Sequence, residues 1–189
     1  FLCALAAEPE LAHTLVDRMT ELYLELNAAY FEALKGRLEV WFFGNDFGSQ
    51  EALLFSAEMW VEFFCENIRR LTALAHAHGL KVMMHSCGAV APLIPLLIEA
   101  GVDILDPIQV TAKGMVPADL KARFGQRLVF HGGIDTQRVL PFGSREEVAC
   151  HVRATTAELG RDGGYLFAPS QILGPDIPVE NLKAMYGSV

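Results

Sequence analysis

The stretch AHAHGLKVMMHSCGAV, residues 75–90, contains the end of a helix, a short apolar strand and a polar strand end in immediate succession. The run from Lys81 to His85 is nearly continuous in apolar character, which is typical of a strand covered on both faces. The preceding segment, Ala57 to His78, has apolar residues at helical spacing. A helix that leads into a buried strand predicts a parallel sheet with helical crossovers.

The same succession of helix and strand recurs along the chain. Strands are predicted at Glu39–Asn45, Lys81–His85, Val102–Leu105, Leu128–His131 and Tyr165–Ala168. Helices are predicted at Pro9–Lys35, Ala57–His78, Val90–Glu99, Ser144–Leu159 and Pro178–Met185. This alternation predicts parallel strands in either an open doubly wound sheet or a closed barrel.

The residues that follow the predicted strands favour the barrel. Each strand is followed by polar residues and glycines, in the sequences NDFG, HSCG, DPIQ, HGGID and APSQ. In a barrel, the loops after the strands all converge on one mouth. No GxGxxG or GxxxxGK[ST] motif follows the first strand to indicate a nucleotide-binding open sheet. The predicted fold class is α/β, of the (β/α)8 TIM-barrel type, with about five βα units in a single domain over residues 1–189.

The number of strands is smaller than a complete barrel requires. An eight-stranded barrel typically takes about 250 residues, and this chain of 189 residues has only five predicted strands. We therefore interpret the chain as the carboxyl-terminal part of a larger barrel whose amino-terminal strands are absent. The first strand, Glu39–Asn45, would then have an unpaired edge, which invites pairing with another chain. A homo-oligomer formed through this edge is expected.

Composition limits the classes of partner. The chain has 15 Lys and Arg against 23 Asp and Glu, a formal net charge of −8, and no basic cluster, so nucleic acid is not an expected partner. No apolar run approaches the roughly 18 to 20 residues of a membrane span, and no leader sequence opens the chain. A soluble, cytoplasmic protein is predicted. The four scattered cysteines are expected to be free thiols.

The pair His85 and Cys87 stands where the second apolar run ends. Histidine and cysteine are the side chains that bind soft or borderline metals best. A spacing of two residues on an extended chain directs both side chains to the same face. The pair is therefore a candidate metal site, although a buried His-x-Cys at a strand end can also serve only in packing.

A family resemblance extends over about residues 8 to 187. The succession GNDFGSQ, AHAHGLKVMMHSCGAV, LIPLLIEAGVDILDPIQ, FHGGIDTQ, GGYLFAPSQ and PVENLKAM resembles the uroporphyrinogen decarboxylase superfamily. Within it, HSCG resembles the cobamide-dependent methyltransferase branch more than the true decarboxylases. The resemblance implies a (β/α)8 barrel of roughly twice this length. It also implies an enzyme that moves a methyl group between a corrinoid (cobalamin) on a partner protein and a thiol or methylated small molecule.

The resemblance further implies a catalytic zinc ion. In that branch a His-x-Cys pair, here His85 and Cys87, binds zinc with a third cysteine near the last strand. Gln171 occupies the place of that cysteine, and glutamine is a poor zinc ligand. Cys65 and Cys150 lie in predicted helices and do not replace it convincingly. The third ligand is therefore open, and this part of the barrel alone is expected to bind zinc weakly.

Other polar residues at the predicted strand ends are candidates for the barrel mouth. As catalytic candidates we take four residues, which are Asp46, Gln109, His131 and Gln171. Gln50 and Asp135 are candidates for substrate binding. Each also has a structural interpretation: Asp46 could cap the next turn, and His131 could hydrogen-bond a neighbouring loop.

Two other functions remain open. A uroporphyrinogen decarboxylase needs no metal and binds a tetrapyrrole that carries many carboxylates, in porphyrin biosynthesis. The family places the arginines for this task in the amino-terminal part, so their absence here decides nothing. A partial barrel could also be a non-catalytic domain that serves in assembly with a partner. Metal content separates the methyltransferase from the decarboxylase. The oligomeric state bears on the assembly domain.

Overall fold

All the strands of the protein lie in one parallel sheet. The computed structural model describes residues 1–189. Its strands are β1 (Val40–Gly44), β2 (Lys81–His85), β3 (Ile104–Ile108), β4 (Val129–Ile134) and β5 (Tyr165–Pro169). Each strand pairs with its neighbours along the chain, so the order in the sheet is β1-β2-β3-β4-β5. An open doubly wound sheet reverses its order at a switch point, so this sequential order confirms the predicted partial barrel.

Helices connect successive strands. Helices α1 (Leu2–Ala7) and α2 (Pro9–Ala33) precede β1. The later helices are α3 (Ala57–Trp60), α4 (Glu66–Ala77), α5 (Ile94–Glu99), α6 (Pro117–Phe124), α7 (Val139–Phe142), α8 (Arg145–Leu159) and α9 (Val179–Tyr186). A π-helical turn, Val61–Cys65, joins α3 to α4, and a 3-10 turn, Ala91–Leu93, precedes α5. No helix combines the length and the apolarity that crossing a membrane requires.

The predicted strand boundaries were least accurate at β3. The segment Asp106–Pro107, interpreted from the sequence as a strand end, lies inside β3, which continues to Ile108. Pro107 has no backbone N–H to donate, and the pairing of β3 with β4 is irregular between Leu105 and Ile108. The side chain of Asp106 is therefore held by a strand rather than by a flexible loop.

The helices cover one face of the sheet. Val82, Met84 and Phe130 are fully buried in hydrophobic clusters formed with the helices. Because side chains alternate between the faces of a strand, the residues between them lie on the opposite, inner face. On that face Phe42 is 56% exposed and Leu166 is 44% exposed. The expectation that the strands are covered on both faces therefore holds for β3, which is wholly buried, and is wrong for β1 and β5.

Helix α2 leaves most of its apolar side chains uncovered. Leu11, Leu15, Leu22 and Leu26 recur at helical spacing and are all exposed. The helix packs instead through two smaller side chains and through Phe31 near its carboxyl end. The ring of Phe31 meets that of Trp41 edge-to-face, at 5.8 Å between ring centroids. The outer edge of β1 pairs with no strand. The pairing of this edge with another chain stays a prediction.

A polar cluster fixes the amino-terminal end of β3. Asp103 accepts hydrogen bonds from the backbone N–H of Val82 at 2.8 Å and from Lys81 Nζ at 3.1 Å. Its carboxylate also lies 2.7 Å from Nε2 of His76. Burial opposes ionisation of Asp103, but these hydrogen bonds outweigh burial and lower the pKa of the carboxyl group. The charged form of Asp103 therefore stabilises the fold.

We expect Asp103→Asn to lower the free energy of unfolding in a pH-dependent way. A carboxyl group whose pKa is lowered on folding stabilises the fold above its unfolded-state pKa, about 3.9. That stabilisation is lost as the pH falls through the lower pKa of the folded state. Urea denaturation from neutral to acid pH measures the difference from the wild type. A Glu158→Gln variant, changed at an exposed helix position, is the control, and equal pH profiles for the two variants would contradict this assignment.

Candidate metal centre

The polar side chains at the carboxyl edge of the sheet come from neighbouring strands. His85 is the last residue of β2, and it is in register with Gly44 of β1 and with Asp106 of β3. A Cβ atom on Gly44 would lie 3.2 Å from His85 Cβ. The missing side chain of Gly44 therefore leaves room for the imidazole between β1 and β3.

Three possible ligand atoms meet beside His85. Oδ1 of Asp46 lies 3.5 Å from Nε2 of His85 and 3.4 Å from Sγ of Cys87. One ligand atom from each of these residues lies within 4.8 Å of the other two. The backbone N–H of Cys87 also donates to Asp46 Oδ1 at 3.2 Å. The loop after β1 is thereby held against the turn after β2.

A buried carboxylate orients the imidazole of His85. Nδ1 of His85 lies 2.7 Å from Oδ2 of Asp106, which is only 8% exposed. When Nδ1 carries the proton and donates it to Asp106, Nε2 directs a lone pair at Asp46 and Cys87. The hydrogen bond to Asp106 raises the pKa of His85, and burial opposes that rise. A metal ion would therefore compete with a proton for Nε2 under acid conditions.

The thiol of Cys87 is held in its protonated form in the absence of a cation. Burial, followed by the hydrogen bond to Asp46, raises the pKa of Cys87 to about 11. The thiol donates this hydrogen bond to the carboxylate. A bound cation would reverse the balance, because it stabilises the thiolate and the carboxylate together.

The donor set fits zinc. One imidazole nitrogen, one thiolate sulfur and one carboxylate oxygen are all zinc ligands, and three protein ligands leave a fourth position open for a substrate. The thiolate disfavours magnesium and calcium, which prefer oxygen ligands. The hydrogen bond from His85 to Asp106 is the carboxylate–histidine contact that orients metal-bound histidines. With neither a cation nor a proton on Nε2, its lone pair would face the carboxylate of Asp46.

The third candidate donor does not come from the position near the last strand where the family pattern has a cysteine. Gln171 is exposed, and its Oε1 accepts from the backbone N–H of Ile172 at 3.2 Å. Asp46, predicted from its place at a strand end to be catalytic, lies instead with His85 and Cys87. Gln171 remains at the mouth, where it lines a small polar cavity together with Gln109 and Asp135.

The remaining predicted residues hold the loops of the mouth. Gln109 Oε1 accepts from the backbone N–H of Gly88 at 2.8 Å and so supports the turn that carries Cys87. Gln50 donates to Oε1 of Gln137 at 2.9 Å, which links the loops after β1 and β4. Asp135 is buried and caps its own loop, since Oδ1 accepts from the N–H groups of residues 137 and 138. These contacts are structural, and the side chains of Gln109 and Asp135 also line the small polar cavity.

His131 lies apart from the three candidate ligands, on β4. Its Nδ1 is 2.5 Å from Oδ1 of Asp106, so one carboxylate faces two imidazoles. Burial opposes ionisation of Asp106, but the hydrogen bonds to His131 and then to His85 lower the pKa of the carboxyl group. Sequence reasoning missed Asp106, and its only signal was the position of the Asp-Pro pair at the end of an apolar run.

We expect Gly88→Ala to disturb the turn that presents Cys87. Gly88 has a φ of +89°, and an added Cβ would lie 2.6 Å from the backbone oxygen of Ser49. Gly36 has a similar φ of +74° with nothing within 4 Å, so Gly36→Ala should cost only the left-handed strain of about 1 to 2 kcal/mol. Gly88→Ala should cost clearly more. Chemical denaturation of both variants measures the difference, and equal losses would contradict the close approach of the two loops.

Comparisons with known proteins support the fold. The sequence profile of the uroporphyrinogen decarboxylase (URO-D) family matches residues 1–189. A search of curated proteins finds no match. Among solved structures, the chain is similar to a methyltransferase from Methanosarcina mazei, with a TM-score of 0.76 and 19% sequence identity. The match covers 100% of this chain and 51% of that chain, so the chain spans about half the length of the matched structure.

Proposed function

Because this chain belongs to the uroporphyrinogen decarboxylase family, we propose that it forms the zinc-binding half of a methyltransferase barrel. The proposed reaction moves a methyl group between a corrinoid, carried by a partner protein, and a thiol or methylated small molecule. The observation that carries the proposal is the meeting of Asp46, His85 and Cys87, with one ligand atom from each within 4.8 Å of the others. The fold shared with a methyltransferase supports it.

The residues of the chain have separate tasks in the proposed reaction. Nε2 of His85, Sγ of Cys87 and Oδ1 of Asp46 would hold the zinc ion. When bound, zinc would lower the pKa of a thiol substrate at the open fourth position and hold it as a nucleophile. The buried carboxylate of Asp106 fixes the tautomer of His85. Gln109 holds the turn that carries Cys87 through the N–H of Gly88.

The charges around the site favour a bound cation. Neither Asp46 nor Asp106 is paired with a lysine or an arginine, since the basic side chains within 4.0 Å of either carboxylate are histidines. A cation between these side chains would interact favourably with the carboxylate of Asp46 and would convert the thiol of Cys87 to a thiolate.

The test combines metal analysis with two activity assays. The full-length protein, purified without chelators, should contain about one zinc ion per chain. It should demethylate methylcobalamin in the presence of mercaptoethanol, and chelation should remove this activity. Consumption of uroporphyrinogen by metal-free protein would overturn the proposal in favour of the decarboxylase. A metal-free protein without either activity would overturn it in favour of an assembly domain.

A further inference from the structure

The carboxylate of Asp106 has two side-chain partners, and they lie on different strands. Oδ2 faces Nδ1 of His85 on β2 at 2.7 Å, and Oδ1 faces Nδ1 of His131 on β4 at 2.5 Å. The distance to His85 is that of a charge-assisted hydrogen bond, and the contact with His131 is shorter still. The carboxylate therefore connects side chains from three neighbouring strands at the carboxyl edge of the sheet.

Each imidazole faces a different oxygen of the Asp106 carboxylate. Asp106 is nearly buried, so water does not readily replace a lost partner. If His131 donated no hydrogen bond, Oδ1 would be unsatisfied, and the carboxylate could rotate about its Cβ–Cγ bond to share one oxygen or the other with His85. The imidazole of His85 would then lose its single orientation.

We propose that His131 is a positioning residue for His85, acting through the carboxylate of Asp106 that both imidazoles share. This inference rests on the proposed function, in which His85 is a zinc ligand. His131 fixes Asp106, and Asp106 in turn fixes the tautomer and ring orientation of His85. Nε2 of His85 is thereby aimed at Asp46 and Cys87 before any metal arrives.

Two substitutions of His131 separate this role from simple packing. In His131→Asn, the side-chain Nδ2 lies about where Nδ1 of the imidazole lies, so it can still donate to Asp106. In His131→Leu, bulk is retained but no hydrogen bond is possible. His78→Leu removes a histidine that bonds only to Leu74 O at the end of α4, so it controls for histidine loss and weak surface binding.

The first measurement is the affinity for zinc, determined by competition with a chromophoric chelator, together with the absorption spectrum of the cobalt(II)-substituted protein. Loss of an outer partner of a metal ligand typically costs about 10 to 100-fold in affinity. We expect His131→Leu to weaken zinc binding about 10-fold and to alter the cobalt spectrum. His131→Asn and His78→Leu should stay close to the wild type. Unchanged affinity in His131→Leu, or an equal loss in His131→Asn, would overturn the inference.

The second measurement needs no metal, so it distinguishes failure of this inference from failure of the proposed function. In metal-free wild type, the ¹⁵N chemical shifts of His85 should report one tautomer, with the proton on Nδ1. In His131→Leu they should report a mixture of tautomers, and His131→Asn should restore the wild-type pattern. If the wild type binds no zinc, the proposed function fails, and these shifts alone decide the role of His131. Identical shifts in all variants would overturn it.

Discussion

Cys87→Ala should abolish stoichiometric zinc binding and methyl transfer while leaving the fold intact. Removing one of three protein ligands should weaken zinc binding by more than the roughly 10 to 100-fold that loss of an outer partner costs. The thiol lies beyond the last residue of β2, outside the hydrophobic clusters, so the melting temperature of the metal-free protein should hardly change. Zinc analysis, the methylcobalamin assay and thermal denaturation measure the three effects.

The matched control is Cys150→Ala. Cys150 is exposed on α8, and its substitution removes the same thiol without touching the site. This variant should keep the zinc content and activity of the wild type. Full zinc content in Cys87→Ala would show that the metal is bound elsewhere, and equal losses in both variants would point to non-specific oxidation or unfolding.

Phe130→Ala should destabilise the protein more than any change at the mouth. Phe130 lies on β4, is completely buried and belongs to the main hydrophobic cluster between sheet and helices. Truncation of a buried phenylalanine typically costs about 3 to 5 kcal/mol, because a cavity remains where the ring was. Urea denaturation should reveal a loss of this size.

Phe42→Ala provides the comparison from the other face of the same sheet. Phe42 lies on β1, where its ring points to the exposed inner face. Substitutions at exposed positions usually change stability by no more than about 0.5 kcal/mol. A loss in Phe42→Ala as large as that in Phe130→Ala would mean that another chain or another part of the barrel covers the inner face in solution.

The fold could be predicted because the order of elements alone determines its architecture. Strands such as Lys81–His85, each preceded by a helix, require parallel pairing, and short crossovers place each strand beside its predecessor. Which apolar faces of the helices and strands are covered by neighbouring elements could not be predicted in the same way. The periodicity of Leu15 and Leu22 shows that one side of α2 is apolar, but not whether a neighbouring element lies against it.

For the candidate site, the sequence could predict only which side chains lie at the carboxyl ends of the strands. Parallel strands bring their carboxyl ends to one edge, so His85 and Asp46 were expected at the same mouth. The contact of Asp46 with Cys87 depends on the loop after β1, whose conformation no sequence pattern specified. Asp106 was missed because an Asp-Pro pair after an apolar run is typical of a turn. Its pairing with His131 depends on strand register, which is a property of the folded sheet.

The sequential order of the sheet has a consequence for biosynthesis. Residues that pair across the sheet, such as Met83 and Ile104, are separated by little more than one βα unit. A chain that leaves the ribosome amino terminus first can therefore add each new strand to the edge left by the previous one. No strand has to wait for a later segment or insert between two others. His85 emerges before Asp106 and His131, so the proposed zinc ligand is synthesised before the two residues that we propose orient it.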